Sequence, residues 1–172
     1  MKLKLSLTVL LVATTILTNG QDTAIIRRTP YKLTLAVDKK SFYEEEIKAT
    51  PYVLPNNTVQ LYPGETVFIE IEQEDGIIKS LVAVEQNIHP DKTLIINFSQ
   101  TANKKIHENT MLKIQNPFKQ SLLYNAKIFF LHHRKWVDTN VYPVEAGLAS
   151  IEIWPDVIIS IVLEKWEFKS SN

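Results

Sequence analysis

Along most of the chain apolar and polar residues alternate with a period of two, and turn residues break the alternation about every eight to fifteen positions. Successive side chains of a strand point to opposite faces, so this period predicts half-buried β-strands. Tyr31, Leu33, Leu35 and Val37 share one face, with Lys32, Thr34 and Asp38 on the other. Val67, Ile69 and Ile71 alternate with Thr66, Glu70 and Glu72; Ile78, Val82 and Val84 then lead back, with Lys79 and Glu85 opposite. Between these runs lies Asp75-Gly76, a pair that readily takes the positive φ angles of a two-residue hairpin turn. Further strands are expected at Leu94-Ile96-Phe98, at Leu112-Ile114 before Asn116-Pro117, at Tyr124 to Phe130, and at Ile151-Ile153 before Trp154-Pro155. In the last run Ile159, Ile161 and Leu163 share a face, whereas Trp166 and Phe168 are out of phase. A one-residue slip restores both sets to the core, which predicts a β-bulge near Glu164 or Lys165. The stretch from Lys39 to Pro55, with Glu44-Glu45-Glu46 and two prolines, reads as a long loop or irregular edge.

Beyond the first twenty residues no segment longer than about ten carries a helical period. About eight short strands at this spacing predict an antiparallel sandwich or barrel. The segment Leu61-Tyr62-Pro63-Gly64-Glu65-Thr66-Val67-Phe68-Ile69 resembles the Pro-Gly-Glu turn and strand that recur in bacterial immunoglobulin-like domains. Leu112 to Phe118, followed by Tyr124-Asn125-Ala126, resembles the strand, Asn-Pro turn and strand of uncharacterised exported bacterial proteins of that kind. The resemblance implies an all-β fold, an antiparallel immunoglobulin-like β-sandwich of about eight strands. It rests on turn chemistry and carries over no functional residue.

The first twenty residues break the pattern. Lys2 and Lys4 precede an apolar stretch from Leu5 to Thr18 and then Asn19-Gly20, the order of a cleavable secretory signal peptide. The expected organisation is a signal peptide at 1–20 and a single β-sandwich domain at 21–172, periplasmic or secreted, with no transmembrane segment after cleavage. The apolar stretch is shorter and richer in threonine than a bilayer span of roughly 20 apolar residues requires; a retained anchor is the alternative. Cysteine is absent from the sequence. An exported domain of this kind therefore has no disulfide, thiolate metal site, catalytic thiol or lipidated cysteine.

Lys and Arg number 19 and Asp and Glu also 19, and no basic stripe stands out along the line of the sequence. Nucleic acid is accordingly not an expected partner, and anionic membrane surfaces are poor candidates. The four glycines admit no phosphate-binding loop or nucleophile elbow. His107-Glu108 opens like a zinc-protease helix, but Met111 stands where the second histidine is needed. The remaining candidates cluster at His132, His133, Arg134 and Trp136, a hairpin tip with an aromatic residue behind it. Exposed aromatics at a sandwich rim stack on sugars or anchor a partner chain. The expectation is a non-enzymatic binding or structural module, needing no cofactor or bound metal, that engages a protein or a cell-envelope glycan. The alternative is a metal-dependent or carboxylate hydrolase built around His132 and His133.

Overall fold

The computed structural model describes residues 25–169, so the expected signal peptide lies outside the described residues. Among these all regular structure is strand, and every strand pairing is antiparallel. A two-stranded ribbon comes first, β1 (Tyr31–Ala36) and β2 (Phe42–Ile47). One five-stranded sheet contains β3 (Val53–Leu54), β4 (Thr58–Leu61), β9 (Leu122–Phe130), β10 (Trp136–Thr139) and β12 (Ile158–Phe168), in the order β10-β9-β12-β4-β3. The other contains β5 (Glu65–Glu74), β6 (Ile77–Val84), β7 (Thr93–Asn103), β8 (Ile106–Gln115) and β11 (Ala149–Trp154), in the order β11-β8-β7-β5-β6.

The two sheets meet through their alternating apolar faces and form a β-sandwich. Val67, Ile69, Leu94, Ile96, Phe98, Leu112 and Ile114 from one sheet and Val59, Leu61, Ala126, Ile128, Ile161 and Leu163 from the other belong to a single buried cluster. Each fully buried leucine, isoleucine or phenylalanine contributes roughly 1.5–3 kcal/mol, so this layer dominates the stability of the fold. A second, smaller core forms where the ribbon packs on side chains that the first sheet turns away from the sandwich interior. There Leu33, Leu35 and Ile47 meet Val157 and Ile159, flanked by Tyr31, Tyr43, Tyr62, Phe129 and Leu131.

The turns follow their sequences. Asp75 and Gly76 both take positive φ, 52° and 76°, and close β5 onto β6 in two residues. Asn116 is buried and its amide donates to the carbonyls of Gln120 and Val144 while its Oδ1 accepts from the Phe118 amide, so the Asn-Pro stop after β8 is a built corner. The slip in β12 falls where expected: the register with β9 shifts between Glu164 and Glu167, Lys165 has φ 56°, and Trp166 returns to the core, stacked on Tyr124 at 5.2 Å.

Several expectations are corrected. Twelve strands form among the described residues, where about eight were expected, and β2 and β3 lie in the stretch read as a loop. β2 carries no apolar alternation because only Ile47 is buried; Glu44, Glu45 and Glu46 stay exposed, and Glu44 pairs with Lys32 across the ribbon at 2.8 Å. In β6 the core face is Leu81 and Ala83, leaving Val82 and Val84 only partly buried. Ile159 does not join Ile161 and Leu163, because the irregularity between Ile158 and Ser160 sends it into the second core. On the edge strand β11 the isoleucines face outward, Ile151 55% and Ile153 60% exposed, and Ser150, Glu152 and Trp154 are the less exposed set.

The least expected feature is a buried charge. Arg28 is 1% exposed, and its Nε donates to Glu65 Oε1 at 2.8 Å. Its Nη2 donates to the Gln60 carbonyl at 2.8 Å and Nη1 to the Thr50 hydroxyl. The guanidinium lies 4.7 Å from the ring centre of Tyr52 and 5.1 Å from that of Tyr62. Glu65 is completed by the Tyr62 amide and the Tyr31 hydroxyl. Removing one member of such a pair strands the other charge out of water, at a cost of about 3–5 kcal/mol. Arg28→Met is therefore expected to lose about that much stability in urea denaturation, and Arg28→Met combined with Glu65→Met less than the sum of the two single losses. Strict additivity in that cycle would contradict the pair as drawn.

Candidate functional site

The ribbon leaves part of the outward side of the first sheet open. Tyr43 and Glu45 from β2 form one wall of a cleft, Gln60 and Ser160 its floor, and Tyr62, Phe129, Trp136 and Ile159 the rest, enclosing about 190 Å³. Alternation places these residues: Val59 and Leu61 point into the sandwich, so Gln60 points out, and Ile128 points in while Phe129 points out. The floor is pre-set by hydrogen bonds. Gln60 Nε2 donates to Ser160 Oγ at 3.2 Å and lies 3.3 Å from the Tyr62 hydroxyl, and Ser160 Oγ donates to the Leu61 carbonyl. On the wall the Tyr43 hydroxyl donates to Glu45 Oε2 at 2.5 Å. Burial first, and then the Glu45 carboxylate, push the Tyr43 hydroxyl up to about 12, with Arg134 pulling the other way. Trp136 is 43% exposed and its ring leans on Phe129, centroids 5.3 Å apart and planes tilted by 57°.

Of the residues picked from the sequence, Trp136 lines this cleft, and the Arg134 charge reaches the Tyr43 hydroxyl beside it. His132 and His133 are exposed in the β9–β10 turn outside it, with His133 edge-on to Phe130 at 6.0 Å. Among the described residues no three His, Asp or Glu side chains gather closely enough to hold a metal ion. His107 sits on strand β8, its Nε2 donating to the Pro155 carbonyl and its Nδ1 accepting from Gln100 Nε2, so both ring nitrogens are engaged. The other large aromatics separate by burial. Trp166 is core, Trp154 is half-buried and donates to Thr139 Oγ1 across the β11 and β10 edges, and Tyr142 is exposed.

Sequence reasoning missed Tyr43, Glu45, Gln60, Tyr62, Phe129 and Ser160. Their only signal is position: Gln60, Phe129 and Ser160 are polar or aromatic on strands whose opposite face points into the sandwich, Tyr62 follows β4, and Tyr43 and Glu45 lie on a strand with no apolar alternation. That pattern looks like ordinary solvent exposure until a third layer of chain is known to cover the sheet.

A second polar cluster lies on the other sheet. Glu70 is 9% exposed, and its carboxylate takes His89 Nδ1 at 2.6 Å and Lys92 Nζ at 2.5 Å. This cluster clasps the 85–92 loop against β5. Among the described residues no helix is long and apolar enough to cross a membrane. Comparison with known protein families, with curated proteins and with solved structures gave no match.

Burial alone would raise the Glu70 pKa, but hydrogen bonds from Lys92 and His89 outweigh it and hold the group below its ordinary 4.5. A carboxylate held low adds stability that is complete above its unfolded pKa and is lost as the pH falls through the lowered folded value. Glu70→Gln is expected to lower the urea midpoint at pH 7 and to flatten its decline below about pH 4.5. A decline as steep as in the wild type would contradict this assignment.

Proposed function

We propose that the chain is an exported, non-enzymatic binding module on an immunoglobulin-like sandwich, and that it captures a cell-envelope glycan in the cleft framed by Tyr43, Tyr62, Phe129 and Trp136. The reading of export rests on Lys2, Lys4 and the apolar run after them; that of the sandwich rests on its two five-stranded antiparallel sheets.

The observation that carries the binding function is the pairing of ring faces with a fixed polar floor. A pyranose has an apolar face that stacks on an aromatic ring and an equatorial rim of hydroxyls that needs donors and acceptors. Trp136 and Phe129 supply the rings, and Gln60, Ser160, Tyr62 and Glu45 supply the partners. The volume, about 190 Å³, is below the roughly 300–1,000 Å³ of pockets that engulf a whole small molecule. It suits one sugar ring of a longer chain whose neighbours stay in solvent.

The test is titration of the mature protein with soluble envelope oligosaccharides, read by tryptophan fluorescence, in which Trp136 is the exposed reporter among three tryptophans. Saturable binding is expected, weakened about tenfold or more by Trp136→Ala and also by Gln60→Ala, with the urea midpoint of the Trp136 variant close to wild type. Absence of binding across the panel, or binding indifferent to both substitutions, overturns the proposal.

A further inference from the structure

The balanced charge of the chain hides a strong local separation. Three turns meet at one end of the sandwich: residues 37–41 between β1 and β2, residues 104–105 between β7 and β8, and residues 131–135 between β9 and β10. Contacts between them fix the convergence. Phe42, beside the first turn, has Lys105 of the second over its ring at 5.7 Å. Leu131, which opens the third, packs with Tyr43, the residue after Phe42, in the second core, and Trp136 just beyond it lines the same cleft as Tyr43. Gln100, on the strand leading to the second turn, is hydrogen-bonded through both amide atoms to the backbone of Ala36. Lys39, Lys40, Lys104, Lys105, Arg134 and Lys135 are thereby gathered at one pole, all exposed, with His132 and His133 beside them. The nearby acids are Asp38, Glu45, Glu108 and Asp156; the Asp38 carboxylate is occupied by the amides of Lys40 and Ser41 and that of Glu45 by the Tyr43 hydroxyl. None of the six cations takes part in an ion pair among the described residues.

The backbone makes the arrangement harder to dismiss as a solvated surface. A two-residue hairpin turn favours Asn-Gly or Asp-Gly, because both positions need positive φ. The β5–β6 turn of this protein obeys that rule with Asp75-Gly76. The β7–β8 turn instead holds Lys104 at φ 47° and Lys105 at φ 77°, and Arg134 is held at φ 45°. Left-handed backbone is unfavourable for lysine and arginine, and strain of this kind concentrates at working surfaces.

We propose that this pole is a contact surface for an anionic lipid bilayer. The cations stand on three separate tips, which together present a broad face and no groove to track a single polyanionic strand. Phe42 and Ile106, 45% and 37% exposed, lie among them, placed to enter the lipid interface while the lysines meet headgroup phosphates. Each lysine or arginine near an anionic leaflet adds about a fivefold gain in partitioning, and the gain is screened by salt.

The experiment is flotation of the mature protein with phosphatidylcholine vesicles and with vesicles of phosphatidylcholine and phosphatidylglycerol. Binding is expected to the second kind only, decreasing with added salt. Lys104→Glu with Lys105→Glu is expected to reduce it at least about tenfold, and Phe42→Ser to reduce it without changing its salt dependence. Lys39→Glu with Lys40→Glu supplies an independent pair should the strained turn not tolerate substitution. Lys48→Glu with Lys119→Glu makes the same change of charge on residues outside the pole and is expected to leave binding intact. Failure to float with anionic vesicles, equal loss in the control pair, or capture by soluble polyphosphate without flotation each overturns the proposal. Sugar binding at the cleft is measured separately and does not bear on the outcome.

Discussion

The ion pair of Arg28 and Glu65 sets the position of the described residues that precede β3. Arg28 lies on an irregular segment whose backbone pairing, among the described residues, is an isolated bridge between Arg27 and Pro51 and a hydrogen bond from the Arg28 N–H to the Thr50 carbonyl. Only the half-buried Ile26 packs against the main core from this segment, too little apolar area to fix its place alone. The Arg28 guanidinium does so, because each of its nitrogens donates to a group on a different stretch of chain: Glu65 on β5, Thr50 after the ribbon and Gln60 on β4. Two tyrosine rings then exclude water from the charge. A buried pair is weak grounds for net stability, since apolar replacements often do as well. Its use here is positional. A hydrophobic side chain would fill the same space without selecting those three partners.

How far the fold was legible in the sequence follows from which elements bury one face only. β7 and β8 alternate cleanly, and Leu94, Ile96, Phe98, Leu112 and Ile114 are as buried as the period predicts. The slip in β12 was visible because Trp166 and Phe168 are too large and apolar to be left in water. β12 misled at its start for the opposite reason. Covered by the main core on one side and the ribbon on the other, it is buried at Ile158, Ile159, Ser160 and Ile161 in succession, and a strand buried on both faces shows no alternation. β2 failed by the reverse route, since three exposed glutamates carry no period at all. In β11 the period is present but the isoleucines face outward: Glu152 lies on the inner face, where its carboxylate accepts the Tyr142 amide at 2.8 Å, a compensation that no local pattern announces.

The cleft was legible in one residue and invisible in the others. Trp136 drew notice because tryptophan behind a polar hairpin tip is conspicuous in any sequence. Gln60 and Ser160 are a hundred positions apart and meet only because β4 and β12 pair, and Tyr43 joins them only because the ribbon is docked. Arg28 had no signal either: it stands next to Arg27, and a pair of adjacent arginines in an irregular segment reads as solvated charge. What decides between buried and solvated is whether a carboxylate, a carbonyl and a hydroxyl lie within reach, which is a property of the tertiary fold.

The two surfaces proposed to act share the ribbon, and the ribbon is held at both ends by polar contacts. At one end of β1 the Tyr31 hydroxyl reaches Glu65, the acid that pairs with Arg28; at the other the Ala36 backbone is clasped by Gln100. Between them Leu33, Leu35 and Ile47 form only a small apolar patch against Val157 and Ile159. That patch has far fewer buried side chains than the main core, so the ribbon is the element whose docking is least secured by area and most by directional bonds. One wall of the cleft, Tyr43 with Glu45, and one of the three basic tips, residues 37–41, travel with it. Loss of the Arg28 lock therefore acts on both surfaces as well as on the sandwich, where it leaves the buried Glu65 carboxylate of β5 without its cation. A chain without a single cysteine cannot staple such an element by a disulfide, and a buried charge pair capped by tyrosines fixes it in place instead.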